Sequence, residues 1–122
     1  MKKISAALLA VLVLAPAAAM AGSGSFTGAS GHVTTGGVEV VQTATGWEIR
    51  LGADFSLDGA PDPRVGFGKG GKFADGTDFE VLRQNKGAQT YAVPAGIDAA
   101  SFDEVYIWCR KYSVPLGVAK VN

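Results

Sequence analysis

Four kinds of residue in this chain have side chains able to do chemistry: one cysteine, one histidine, a glycine and lysine run, and scattered carboxylates. Cys109 stands in Val105-Tyr106-Ile107-Trp108-Cys109-Arg110, with Lys111 next. The thiolate is the form that reacts or binds metal, and the two cations that follow favour it. His32, in Gly31-His32-Val33, offers the only imidazole. A lone histidine near a loop is more often a hydrogen-bonded surface or cap residue than a ligand. Gly66-Phe67-Gly68-Lys69-Gly70-Gly71-Lys72 imitates both a dinucleotide fingerprint and a phosphate loop. The residue that should supply a magnesium-binding hydroxyl is Phe73, and no helix is expected to follow. The run reads instead as a mobile glycine loop. Asp54, Asp58 and Asp62, then Asp75 and Asp78, lack the alternating ligands and terminal glutamate of a calcium loop, so they read as turn formers. Trp47 and Trp108 suggest a sugar-stacking platform or, more simply, packing at the core or rim.

The amino terminus fixes the expected compartment. Met1-Lys2-Lys3 is a positive head, an apolar stretch runs from Ile4 to Ala15, and Ala19-Met20-Ala21 has small residues where signal peptidase reads them. Residues 1–21 are therefore expected to be a secretion signal, and 22–122 a periplasmic or secreted protein. The apolar stretch falls short of the roughly 20 residues a spanning helix needs, so no membrane segment is expected after cleavage. No cysteine near that site offers itself to a lipid. Removing 21 of 122 residues leaves 101, the size of one domain. Nine Lys and Arg then face eleven Asp and Glu, interspersed along the chain. That pattern argues against a nucleic-acid partner, which asks for a basic stripe.

An exported protein usually pairs its cysteines, so a lone one is an apolar filler, a link to another molecule or a reactive thiol. Counting narrows its metal chemistry. Blue copper wants two histidines and usually a methionine, structural zinc four His or Cys ligands, and covalent haem a Cys-x-x-Cys-His run; the mature chain has none of these sets. A non-covalent haem held by His32, Cys109 or both, and a metal shared between two chains, stay open, as does the oligomeric state.

The elements that must position these groups are short strands. Val38–Gln42 and Trp47–Leu51 alternate apolar and polar residues about the turn Thr43-Ala44-Thr45-Gly46, which predicts a hairpin. Residues 78–82, 90–93, 104–110 and 113–121 are further strand candidates, and 98–102 a single helical turn. Seventeen glycines suit the turns and bulges of such a fold. The expected class is all-β, a small antiparallel sandwich or barrel in a single domain. In a regular strand, Val105, Ile107 and Cys109 share one face while Tyr106, Trp108 and Arg110 share the other. Cys109 is therefore expected on the aliphatic face, half-buried near a strand end.

Gly31-His32, Asp54-Phe55, Pro61-Asp62-Pro63, the run Asn85-Lys86-Gly87-Ala88-Gln89-Thr90-Tyr91-Ala92-Val93-Pro94-Ala95-Gly96 and the closing Val105-Tyr106-Ile107-Trp108-Cys109 together resemble the DM-thirteen domain family. Tyr112, Val114 and Gly117-Val118-Ala119 extend the likeness over nearly the whole mature chain. The resemblance implies a small extracytoplasmic β domain with a part in electron transfer or redox chemistry. It makes Cys109 the redox or ligand candidate, His32 its possible partner, and Trp108 and Lys111 its neighbours. The stretch 66–76 departs from the family's pattern. Larger members carry cytochrome modules beside the domain, so here the expected redox partner is a separate protein. The competing reading is a non-catalytic module that binds protein or glycan and buries an inert Cys109.

Overall fold

The computed structural model describes residues 19–122. The expected signal thus lies outside the described residues, apart from Ala19-Met20-Ala21 at the start of the first strand. The strands are β1 (Ala19–Ser25), β2 (Thr27–Gly28), β3 (Thr34–Thr35), β4 (Gly37–Thr43), β5 (Gly46–Leu51), β6 (Ser56–Leu57), β7 (Pro63–Lys69), β8 (Lys72–Phe73), β9 (Glu80–Val81), β10 (Gln89–Ala92), β11 (Glu104–Cys109) and β12 (Val114–Lys120). One turn of 3-10 helix, Ala99–Ser101, begins where Asp98 accepts a hydrogen bond from the Ala100 amide. No helix among the described residues is long and apolar enough to cross a membrane.

Pairing is antiparallel throughout and builds a sandwich. One sheet runs β1-β4-β5-β10; the other runs β2-β12-β11-β7-β8, with β9 also on β7; β3 and β6 form a small third ladder. The expected hairpin is β4 and β5, in register from Val38 opposite Leu51 to Thr43 opposite Gly46. Its alternation places Val38, Val40, Ile49 and Leu51 in the core. Across from them the second sheet contributes Val65, Phe67, Val105, Ile107, Cys109 and Ala119, all essentially inaccessible. Burying a side chain of this kind stabilises a fold by about 1.5–3 kcal/mol.

The glycine run corrects the expectation of a mobile loop. Residues 66–69 belong to β7, which pairs with β11 from Pro63 to Gly68, and Gly70-Gly71 is the tip of a hairpin into β8. Both tip residues have positive φ, 62° and 84°, the geometry of a two-residue turn whose twist matches its strands. Val65 and Phe67 point inward, so Val65-Gly66-Phe67-Gly68 is strand alternation with glycine on the outer face. The outer face needs glycine because rings lie on it. A Cβ at Gly68 would stand 2.1 Å from Tyr106 Cε1 and 2.5 Å from the Lys72 carbonyl oxygen. At Gly66 it would meet the Thr77 carbonyl oxygen at 3.0 Å and Phe73 Cε1 at 3.1 Å.

Pro115 interrupts β12 without breaking the sheet. The β11–β12 register slips between Ile107 and Trp108, so that Gly117 faces Ile107 and Pro115 faces Trp108. A bulge is one of the places where a strand tolerates a residue with no N–H. Leu116, the extra residue, turns its carbonyl to the Ala29 amide at 3.1 Å and the Thr34 hydroxyl at 2.8 Å.

Candidate functional site

Cys109 is the last residue of β11, between Pro63 of β7 and Val114 of β12. Its face is the expected one, but its burial is deeper than half: it is a free thiol, 1% exposed, within the hydrophobic core. Parity gives the direction; the core between the two sheets gives the depth. No hydrogen bond to its sulfur is present among the described residues, and the residue belongs to the apolar core cluster. The cations that follow are engaged elsewhere. Arg110 Nε donates to Asp78 Oδ2 at 2.7 Å and Nη2 to the Asp78 carbonyl at 2.7 Å. That bond and the Asp78 charge raise the Arg110 pKa further above its ordinary value. Lys111 is exposed, with Nζ 5.6 Å from the centre of the Tyr112 ring.

The chain leaving Cys109 turns at the surface. Beyond the Asp78 contacts, the Arg110 amide donates to the Asp62 carbonyl at 3.1 Å, and Asp62 in turn pairs with Arg64 at 2.9 Å. Residues 110–113 are exposed, and Ser113 adopts a left-handed φ of 52°.

His32 is held by Ala29 and Asp58. It closes a turn by donating its amide to the Ala29 carbonyl at 3.0 Å, and its Nδ1 lies 2.9 Å from Asp58 Oδ1. Asp58 Oδ2 accepts the Val33 amide at 3.0 Å. The Val33 amide first, and the His32 ring next, lower the Asp58 pKa below its ordinary value. No hydrogen bond joins His32 to Cys109 among the described residues, and no group of three or more His, Cys, Asp or Glu there is placed to hold a metal. Three other aspartates have backbone or arginine partners: Asp54 accepts the Gly37 amide, Asp98 caps the 3-10 turn and Asp62 pairs with Arg64.

The two tryptophans do not share a platform. Trp47 lies on β5 and packs partly against the core, whereas Trp108 lies on β11 of the other sheet. Trp108 stacks on Phe73 instead, with centroids 3.9 Å apart and planes 6° from parallel. Tyr106 meets Phe73 edge-on at 5.6 Å and Trp108 at 6.5 Å. Tyr106 is only 3% exposed, although parity points it away from the core. The hairpin covers it, anchored where Gly70 and Gly71 donate their amides to Asp103 and Glu104 at 3.2 and 2.9 Å. Burial, then the neighbouring Glu104 charge, raises the Tyr106 pKa. Sequence patterning gives no sign of this second buried layer, because the ring contacts depend on a strand that reads as a loop.

The run around Gln89 and Tyr91 closes a loop. Gln89 Nε2 donates to the Gln84 carbonyl at 2.8 Å and to that of Gly87 at 3.2 Å, while its Oε1 accepts the Gln84 amide at 3.2 Å. The Tyr91 hydroxyl accepts the Arg83 amide at 2.9 Å, and the Arg83 guanidinium lies 4.2 Å over the Tyr91 ring.

An antiparallel sandwich with one free, core-facing cysteine at the end of a central strand is the class these features define. The family model described as Electron transfer DM13 matches residues 25–121, so the chain belongs to that family. Its description associates the domain with electron transfer, in agreement with the DM-thirteen resemblance. Neither the comparison with curated proteins nor that with solved structures found a match.

Proposed function

We propose that this chain is an extracytoplasmic redox or electron-transfer accessory domain, working with a separate redox partner protein and using Cys109 as its redox residue. The observation that carries the reading is the family match over residues 25–121, which takes in nearly all of the folded sandwich. The expected export signal supports the periplasm or the exterior as its place. Burial refines the chemistry: Cys109 at 1% exposure acts as a gated thiol, reached when the corner held by Arg110 and Asp78 opens. In the open state its sulfur attacks a peroxide oxygen, an S–O bond forms as the O–O bond breaks, and the thiol proton leaves in water. A partner dithiol then returns the sulfenic acid to the thiol, releasing water and becoming a disulfide.

The second reading, a protein- or glycan-binding module with an inert cysteine, draws on the same burial and on the lack of any polar partner for the sulfur. Mild peroxide followed by intact-mass measurement separates the two. The redox reading expects one added oxygen or a linked dimer, reversed by a dithiol and absent in Cys109→Ala. A native protein left unmodified under conditions that fully oxidise the unfolded chain supports the inert module. An optical spectrum and metal analysis of the same preparation address ligation: a Soret band or stoichiometric metal that disappears in Cys109→Ala would replace thiol oxidation with ligand chemistry.

A further inference from the structure

We propose that Trp108 and Tyr106 form a redox-active aromatic relay on the outer face of the second sheet, with Glu104 as acceptor of the tyrosine proton. The inference rests on the electron-transfer reading of the domain, but not on Cys109. Trp108 is the partly exposed end, where an oxidising equivalent enters. Its stacked neighbour Phe73, 3.9 Å away, faces the indole with a ring whose negative face stabilises positive charge. Tyr106 is the inner end, 6.5 Å from Trp108 and in edge contact with Phe73. The three rings form one continuous set of contacts, and Gly66 and Gly68 leave them the floor they lie on.

Two features suit Tyr106 to hold an oxidising equivalent. It is 3% exposed beneath the hairpin, which keeps solutes away from a radical. Glu104 precedes it by two positions on β11, so the two side chains leave the same face as neighbours. Glu104 is itself 8% exposed and fixed by the Gly71 amide at 2.9 Å. Phenol oxidation releases a proton, and a carboxylate held beside the ring can take it. The other tyrosines are set differently: Tyr112 is 62% exposed in a turn, and Tyr91 lies on β10 of the opposite sheet with its hydroxyl in the Gln89 network.

The step balances with a one-electron acceptor of high potential as oxidant. The acceptor takes one electron from the Trp108 indole and is reduced, leaving the indole radical cation. Tyr106 returns an electron to the indole and passes its phenolic proton to Glu104, leaving a tyrosyl radical and a neutral carboxylic acid. One electron from a donor, with return of the proton from Glu104, restores the starting state.

The test uses the whole mature protein with Tyr112→Phe, which removes the exposed phenol. The oxidant is photogenerated ruthenium(III) tris-bipyridine, with persulfate as the terminal acceptor, and the product is read by electron paramagnetic resonance after freezing. A tyrosyl signal is expected, lost on adding Tyr106→Phe, formed more slowly with Trp108→Phe, and replaced by a tryptophan signal with Glu104→Gln. Phenylalanine preserves the ring at position 106 and glutamine preserves an acceptor for the Gly71 amide, so thermal melts should stay close to the parent. A signal unchanged by Tyr106→Phe, a rate unchanged by Trp108→Phe, or no radical in the parent overturns the relay. None of these outcomes bears on peroxide oxidation of Cys109. Persistence of the radical in Cys109→Ala upholds the relay, and its loss there overturns it by placing the oxidising equivalent on sulfur.

Discussion

Replacing Gly68 by alanine tests whether the glycine run is a load of rings on a strand or a loop. Gly68 has an ordinary extended backbone, so any penalty comes from space and not from φ. The new methyl would stand 2.1 Å from Tyr106 Cε1 and 2.5 Å from the Lys72 carbonyl oxygen. Moving the ring relieves only the first contact; the second requires the hairpin backbone to shift. Overpacking of this kind costs about 3 kcal/mol at the upper end of its usual range. Alanine recovers roughly 0.5–1 kcal/mol relative to glycine in a strand interior, which leaves a net loss of about 2 kcal/mol. With a urea slope of about 1.5 kcal/mol/M, the unfolding midpoint should fall by roughly 1.3 M. Gly66→Ala, whose nearest contacts are 3.0–3.1 Å, should lose less. Adding Tyr106→Ala to Gly68→Ala should couple with it, since the ring clash disappears and the Lys72 clash stays. A Gly68→Ala protein as stable as the parent, or more so, would refute the packing, because a glycine in an uncrowded strand is improved by alanine.

Three other perturbations follow from the same contacts. Asp58 has a lowered pKa, so the loop stabilisation it provides is present above its unfolded value near 3.8 and is lost as pH falls through the lower folded value. The protection factor of the Val33 amide against hydrogen exchange should fall over that acid window and be low at all pH values in Asp58→Asn; a protection factor flat from neutral pH into acid would contradict the bond. Gln89→Ala removes the contacts that close the loop at Gln84 and Gly87 and should destabilise the fold by about 2 kcal/mol in urea melts. A change under about 0.5 kcal/mol, the size of an ordinary surface substitution, would leave Gln89 no structural role. Arg110→Ala should speed alkylation of Cys109 in the native protein while leaving the global melt nearly unchanged; equal rates in variant and parent would exclude Arg110 as part of the gate.

What was legible in the sequence divides by distance along the chain. The β4–β5 hairpin follows from alternation on both sides of a local turn, and the inward direction of Cys109 follows from parity within one strand. The partners of those elements do not. Asp58 stands 26 positions from His32, and nothing local says that this carboxylate and not a thiol receives the imidazole. Gly66 and Gly68 look like chain breakers because the rings that require them, Phe73 and Tyr106, arrive from β8 and β11. Once that strand is read as a loop, the burial of Tyr106 and Glu104 has no visible cause. The Lys-Gly-x-Gln-x-Tyr run stands out as a pattern, but its work as a loop closure is set by carbonyls that only the folded backbone supplies.

The most direct test of the gated thiol is the urea dependence of Cys109 alkylation in native protein, measured well below the unfolding transition. Opening the corner at Arg110 exposes little surface, so the rate should be slower than in the unfolded chain yet nearly independent of urea at low concentration. A rate that climbs from the first addition of urea with the full slope of global unfolding would mean that Cys109 is reached only when the whole sandwich unfolds. That result would contradict the redox role and leave a core cysteine that is chemically silent in the native state.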